Sequence, residues 1–217
     1  MKKLLTVLVA ALLLVGCSAQ ECPQCEVCED APTVAELPAA RDTSKTYKNA
    51  DKADVACEAN TYAAACSSIN AENLHEYLNR EDVVYIDLRD YADYAKKHLR
   101  NFESIPYFAL IFNKTLDENT VQLYTGSESA PVSTYAESDD LLHALFPQDK
   151  TIFLMCQSGG RVANFMKILE AKGYDMSKVY NVGGMGQYSS DALKALTTNS
   201  EEIVLEGTYS FSGLTRN

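Results

Sequence analysis

The chain lacks any N-terminal apolar run long enough to cross a bilayer. The run from Leu4 to Val15 follows Lys2 and Lys3 and stops short of the about 20 residues that a spanning helix needs. A transmembrane helix is thereby excluded at that end, and the order of charge, apolar core and small residue is that of an export signal. The chain is also short of positive charge, with 19 Lys and Arg against 30 Asp and Glu and a net charge of −11. Such a balance argues against binding to a phosphate backbone, so nucleic acid is not an expected partner, and it would repel anionic lipid headgroups unless an acyl chain held the protein there. Cysteine is absent over most of the length. Of seven cysteines, all but Cys156 lie before residue 67. Finally, the stretch from Ser18 to about Ala53 has no sustained apolar period, which leaves it without the means to bury a core.

What is present at the N-terminus is Leu14-Val15-Gly16-Cys17, which resembles the lipobox of bacterial lipoproteins. The resemblance implies removal of residues 1–16 as a signal peptide and lipidation of Cys17. The expected protein is therefore exported and anchored by its lipid to the outer face of a bacterial membrane, cell or outer. Residues 17–53 read as a polar, acidic, disordered tether. Within it, Cys22, Cys25 and Cys28 stand at two-residue gaps. They could hold a soft metal, but without a second pair the spacing is weak, and disulfides are equally compatible with export. Cys57 and Cys66, in a lead-in segment over 54–68, could close a small loop, although spacing does not decide which thiols pair.

The length fits one folded domain with a tail better than two domains. That domain is expected over 69–198, with a C-terminal tail at 199–217. Leu74, Tyr77 and Leu78 predict a helix after Ser68 or Asn70. Val83-Val84-Tyr85-Ile86-Asp87-Leu88 predicts a strand covered on both faces. Tyr91, Tyr94, Ala95 and His98 predict a helix with His98 on its buried stripe, where a hydrogen-bonded structural role is the expectation. Residues 113–137 are polar and read as an insertion or surface loop. A short helix is expected from Ser138 through Leu145, stopped by Pro147.

Thr151 to Met155 then predicts a buried strand, and Val162, Phe165, Met166 and Leu169 mark a helix that Gly173 can end with a left-handed cap. Cys156 thus falls where a strand turns into a helix, at the sheet edge where α/β proteins bind ligands. Gly159 and Gly160 suit a turn that needs positive φ and close backbone approach, and Arg161 adds a fixed positive charge. Loop amides and a guanidinium together favour thiolate over thiol and would leave the sulfur ionised and open to solvent. A buried, inert cysteine is the competing reading, but it explains neither the paired glycines nor the arginine.

Cys156-Gln157-Ser158-Gly159-Gly160-Arg161 resembles the active-site loop of the rhodanese family, C-x-x-G-x-R. Ile86-Asp87-Leu88-Arg89 resembles the family's D-x-R segment. His98-Leu99 with Ser104-Ile105-Pro106 resembles its G-H-I-x-G-A-x-N-I-P stretch, with Lys97 in place of the usual glycine. Asn181-Val182-Gly183-Gly184-Met185 resembles its closing strand and Gly-Gly turn. The resemblance implies a three-layer α/β fold with a central, mostly parallel sheet and helices on both faces. It also implies sulfur transfer through a persulfide on Cys156, with Gln157, Ser158, Gly159, Gly160, Arg161 and Val162 binding the donor and Asp87 and Arg89 supporting the pocket. The donor would be a small sulfur-containing anion such as thiosulfate, the acceptor a thiol, cyanide or a protein, with no cofactor and no metal. Cysteine phosphatases use a similar loop, C-x5-R, but one residue longer than the loop here. A non-catalytic member of the fold serving as a binding module is the other alternative.

Overall fold

The computed structural model describes residues 35–114, 121–188, 191–199 and 209–217. Cys17, Cys22, Cys25 and Cys28 lie outside the described residues. Among the described residues the first strands form a hairpin of β1 (Thr46–Lys48) and β2 (Asp54–Ala56), followed by β3 (Val83–Asp87), α1 (Tyr91–Lys96), β4 (Lys97–Leu99) and β5 (Glu103–Ser104). A second hairpin joins β6 (Tyr124–Ser127) to β7 (Ala130–Ser133) and leads into α2 (Ser138–Leu145). Then come β8 (Thr151–Cys156), α3 (Gly160–Ala171), β9 (Val179–Gly184), α4 (Asp191–Lys194) and β10 (Thr197–Asn199).

The central sheet has the order β5-β3-β8-β9, and its three pairings are parallel. Both faces are covered, which is why β3 and β8 read as continuous apolar runs. Ile86, Ile152, Leu154 and Cys156 point to one side, where Val162, Phe165, Met166 and Leu169 of α3 and Leu142 of α2 pack. Val83, Tyr85, Phe153, Met155, Tyr180 and Val182 point to the other, against Ile69, Leu74, Leu99, Phe102 and Tyr188. The architecture is the expected three-layer α/β sandwich. Since pleating sends successive side chains to opposite faces, the register that buries Leu154 on the α3 side also sends Cys156 there.

Several local expectations are corrected. The helix predicted after Ser68 is a single 3-10 turn, Leu74–Tyr77. The side-chain oxygen of Asn73 accepts from the N–H of Asn70, and that of Asn70 from the N–H of Glu72, so local side-chain bonds compete with a longer helix. His98 is not on a helix. α1 ends at Lys96 with no residue fully buried, and His98 sits in β4, paired with Thr198 of β10. Its Nδ1 lies 2.7 Å from the Tyr94 carbonyl oxygen and its ring stacks on Tyr94 at 3.9 Å. The non-local strand pairing overrides the local period.

Nor is the stretch up to residue 53 unstructured throughout. From residue 35 onward it is ordered: Ala40 is buried, Arg41 is 8% exposed, and the Arg41 guanidinium donates to the Val179 carbonyl at 2.5 Å and lies 4.9 Å from the Tyr62 ring centre. The polar segment 113–137 contains the β6–β7 hairpin, with Gln122, Leu123 and Tyr124 buried. Pro131 and the polar alternation mask this edge hairpin in the sequence. The described part of the tail also returns to the body, where the Ala136 N–H donates to the Thr215 carbonyl at 2.8 Å and Phe211 packs beside the α3-side core. Among the described residues no helix is long and apolar enough to cross a membrane.

Cys57 and Cys66 form a disulfide, and both are buried. Closing a loop of this size removes denatured-state entropy worth about 2–3 kcal/mol. Replacing both cysteines by alanine should therefore lower the unfolding free energy by about that amount in urea titration. A second prediction concerns Asp139, which joins the hairpin to α3. Burial alone would raise its carboxyl, but the Lys172 ammonium at 2.8 Å and the Tyr124 hydroxyl at 2.7 Å bring it below the usual range. A lowered carboxylate stabilises above its unfolded value of about 4, and that contribution fades as the pH falls through the folded value. The stability gap between the wild type and Asp139→Asn should accordingly be widest near neutrality and shrink below about pH 4, as read by urea unfolding at stepped pH.

Candidate active site

Cys156 is the last residue of β8, and Gly159, at φ 90°, caps the helix that follows. The chain must reverse within three residues, and only the left-handed conformation at Gly159 lets it do so before α3 begins. This turn brings the Gly159 N–H to 3.1 Å from Cys156 Sγ, a donor aimed at the sulfur by the backbone alone. Gly160 opens the helix, and a Cβ built there would meet nothing within 4 Å, so the expectation of a steric need for both glycines holds only for Gly159. Gln157, Ser158 and Gly160 are exposed, while Val162 is buried under the helix.

The sulfur is not open to solvent as expected. Cys156 is only 1% exposed and belongs to the α3-side core. Burial follows from its place in β8, whose inward register continues through the cysteine. The loop is roofed by neighbours that sequence reading left without roles. A Cβ on Gly184 would come within 2.2 Å of Gln157 C, Gln157 O and Ser158 N. Since those are backbone atoms, residue 184 must be glycine for β9 to lie this close. The Gly186 N–H donates to the Gln157 carbonyl at 3.2 Å, and the Gln187 side chain receives the Gly184 N–H at 2.9 Å. The Asn181 side-chain amide donates to the Gly159 carbonyl at 3.0 Å. The Gly-Gly pair was visible as a motif, but its contact with the cysteine loop was not, because it depends on the β8–β9 register and the shift between Leu154 and Cys156.

Arg161 is the second residue of α3. Its guanidinium lies 5.4 Å from the exposed Phe108 ring, 3.5 Å from the Leu88 carbonyl and 3.9 Å from the Asp90 carboxylate. Phe108 belongs to the π-helical turn Tyr107–Ile111 after Pro106. Arg161 thus stands partly buried at the loop, its side chain 19% exposed, between an aromatic face and an acid.

Asp87 and Arg89 form a buried bidentate pair, with side-chain exposures of 0% and 4%. Arg89 Nε donates to both carboxylate oxygens at 3.1 and 2.9 Å, Nη2 donates to Oδ2 at 2.6 Å, and the Arg89 N–H donates to Oδ1 at 3.0 Å. Burial pushes the Asp87 carboxyl up, and Arg89 pulls against that rise. The remaining guanidinium donors reach the carbonyls of Asp93 and Lys97. The pair therefore ties the end of β3 to α1 and β4, and the Leu88 N–H next to it bonds the Met155 carbonyl at 2.8 Å, one residue before Cys156. It supports the sheet edge beneath the loop rather than contacting the sulfur.

A cysteine at the carboxyl end of a parallel strand, with the Gly159 N–H aimed at its sulfur and a helix following at once with an arginine in its first turn, defines an α/β protein with a candidate sulfur nucleophile. The rhodanese-like domain family matches residues 70–191, more than half of the chain, and the chain belongs to that family. It is 27% identical over 121 residues to the rhodanese-like domain-containing protein 9, chloroplastic, of Arabidopsis thaliana, a match covering 52% of this chain. The matched region spans about half, 51%, of that relative's length. A solution NMR structure of a rhodanese-like domain from Anabaena sp. aligns with 68% of this chain and 91% of its own, at 14% identity and a TM-score of 0.38.

Removing one partner of the Asp87–Arg89 pair would leave a buried charge uncompensated. Asp87→Ala should lose about 3–5 kcal/mol of stability in denaturant unfolding, whereas an exposed pair such as Lys48–Asp54 should lose no more than about 1 kcal/mol when broken in the same way.

Proposed function

We propose that this protein is an exported, lipid-anchored sulfurtransferase that carries sulfane sulfur as a persulfide on Cys156. The observation that carries this reading is the Gly159 N–H at 3.1 Å from Sγ, in a loop whose backbone is held from behind by β9. Family membership supports the chemistry, since sulfur transfer is the activity generally associated with this fold. Anchoring rests on the sequence around Cys17.

In the first half-reaction, the Cys156 thiolate attacks the outer sulfur of thiosulfate. A bond forms between Sγ and that sulfur, the original S–S bond breaks, and sulfite leaves with the bonding pair. In the second, an acceptor nucleophile takes the outer sulfur and the cysteine thiolate leaves with the pair, so the scheme is ping-pong. The loop N–H groups stabilise the charge on the thiolate and on the terminal persulfide sulfur, and one such donor is worth about 2.7–4 kcal/mol in comparable oxyanion sites. Arg161 is the cation that receives the anionic donor, and Phe108 beside it would narrow the approach. Asp90 on the same guanidinium is a carboxylate that the donor would have to displace or pass.

The 1% exposure of Cys156 favours a second reading, in which the domain keeps the fold but acts as a binding module. Intact-mass measurement after incubation with thiosulfate separates the two. The sulfurtransferase should gain about 32 Da per chain, lose that increment to cyanide, and show none of it as Cys156→Ser. Absence of the increment in folded wild type overturns the enzymatic reading.

A further inference from the structure

Asn181 is almost fully buried, at 3% exposure, at the middle of β9, and the rhodanese motif by itself gives it no task. Its side chain makes three hydrogen bonds to backbone of three separate segments. The amide donates to the Gly159 carbonyl at 3.0 Å and to the Tyr62 carbonyl at 2.8 Å, and the side-chain oxygen accepts the Gly183 N–H at 3.1 Å. Gly159 is the residue whose N–H reaches the cysteine sulfur. Tyr62 lies inside the loop that the Cys57–Cys66 disulfide closes. The same loop touches the cysteine turn directly, because a Cβ on Gly159 would stand 2.6 Å from the Ala64 Cβ.

One amide group therefore spans the gap between the disulfide-closed segment and the turn that aims a donor at Sγ. A primary amide is suited to this place, since its two N–H groups can serve two carbonyls while its oxygen takes the N–H of a strand. A carboxylate would face both carbonyls with no proton to offer. The peptide plane preceding Gly160 carries the Gly159 carbonyl, and fixing that oxygen limits rotation of the Gly159 unit, hence the direction of its N–H.

We propose that Asn181 is the positioning residue of the Cys156 loop, and that it couples the loop to the Cys57–Cys66 disulfide through Tyr62, so that the disulfide braces the nucleophile from outside the sheet. The inference deepens the sulfurtransferase reading and rests on it for its effect on rate.

The test measures the rate and amplitude of sulfur loading on Cys156 by thiosulfate, by quench and mass measurement, for wild type, Asn181→Asp, Cys57→Ala/Cys66→Ala and the combined variant. Alkylation by iodoacetamide, read at the Cys156 peptide, runs in parallel. Asn181→Asp should load and alkylate at least about tenfold more slowly, a loss of the size expected for buried hydrogen bonds, with full amplitude. Its half-saturating thiosulfate concentration should stay within about twofold of wild type, because Asn181 touches the loop and not the donor. The disulfide variant should be slowed severalfold, and the combined variant should be slowed by clearly less than the product of the two effects, since the Tyr62–Asn181 link is shared and only the Ala64 contact is separate. A wild-type rate in Asn181→Asp, lowered amplitude at an unchanged rate, or effects that multiply would overturn the proposal. If Asn181→Asp fails to fold, the disulfide variant decides: slowed loading supports the coupling and a wild-type rate refutes it. A wild type that never takes up sulfur refutes the sulfurtransferase reading separately, while the alkylation rates still decide the role of Asn181.

Discussion

The close approach of β9 to the cysteine turn is the constraint on which the rest of this structure depends. Gly184 lies against the peptide joining Gln157 to Ser158 with no room for a Cβ, and that contact sets how far the turn can move away from the sheet. Gly159 completes the constraint, because its left-handed backbone lets the chain reverse while its N–H turns towards the sulfur. The geometry around Cys156 is thus made by backbone, with glycines at the positions where side chains would push it open. A backbone donor of this kind is fixed by the fold and costs little to reorganise.

Electrostatics divides between the two ends of this arrangement. The fully buried Asp87–Arg89 pair lies under the sheet edge and uses its spare donors on the carbonyls of Asp93 and Lys97, so its charge is spent on joining elements. Arg161, with its side chain 19% exposed, stands at the start of α3 near Phe108 and Asp90, and its charge is not spent on a buried partner. In a chain of net charge −11, the Arg161 guanidinium is a local positive charge at the start of α3, against the sign of the overall field.

Stability and the site share parts. The hairpin β6–β7, joined to α3 through Asp139, Lys172 and Tyr124, covers the same helix whose first turn holds Arg161. On the other side, the disulfide-closed segment reaches the cysteine turn through Tyr62, Ala64 and Asn181. Elements outside the family's matched region, such as residues 57–66, are therefore packed against the cysteine turn.

The linear sequence was sufficient for the buried strands β3 and β8, the helix α3, the cysteine between them and the family, because these rest on local apolar periods and on a motif of adjacent residues. It was misleading where a local period was outweighed by distant pairing, as at His98, whose helical spacing yielded to β4–β10, and at the polar hairpin whose strands are held by Tyr124. Tertiary structure alone decided that Cys156 is buried, that Cys57 pairs with Cys66, and that Asn181 joins two loops. The burial of Cys156 and the bonds of Asn181 join segments far apart in the chain and depend on sheet register and packing, while the Cys57–Cys66 pairing, at a separation of 9, was one among the pairings that spacing left open.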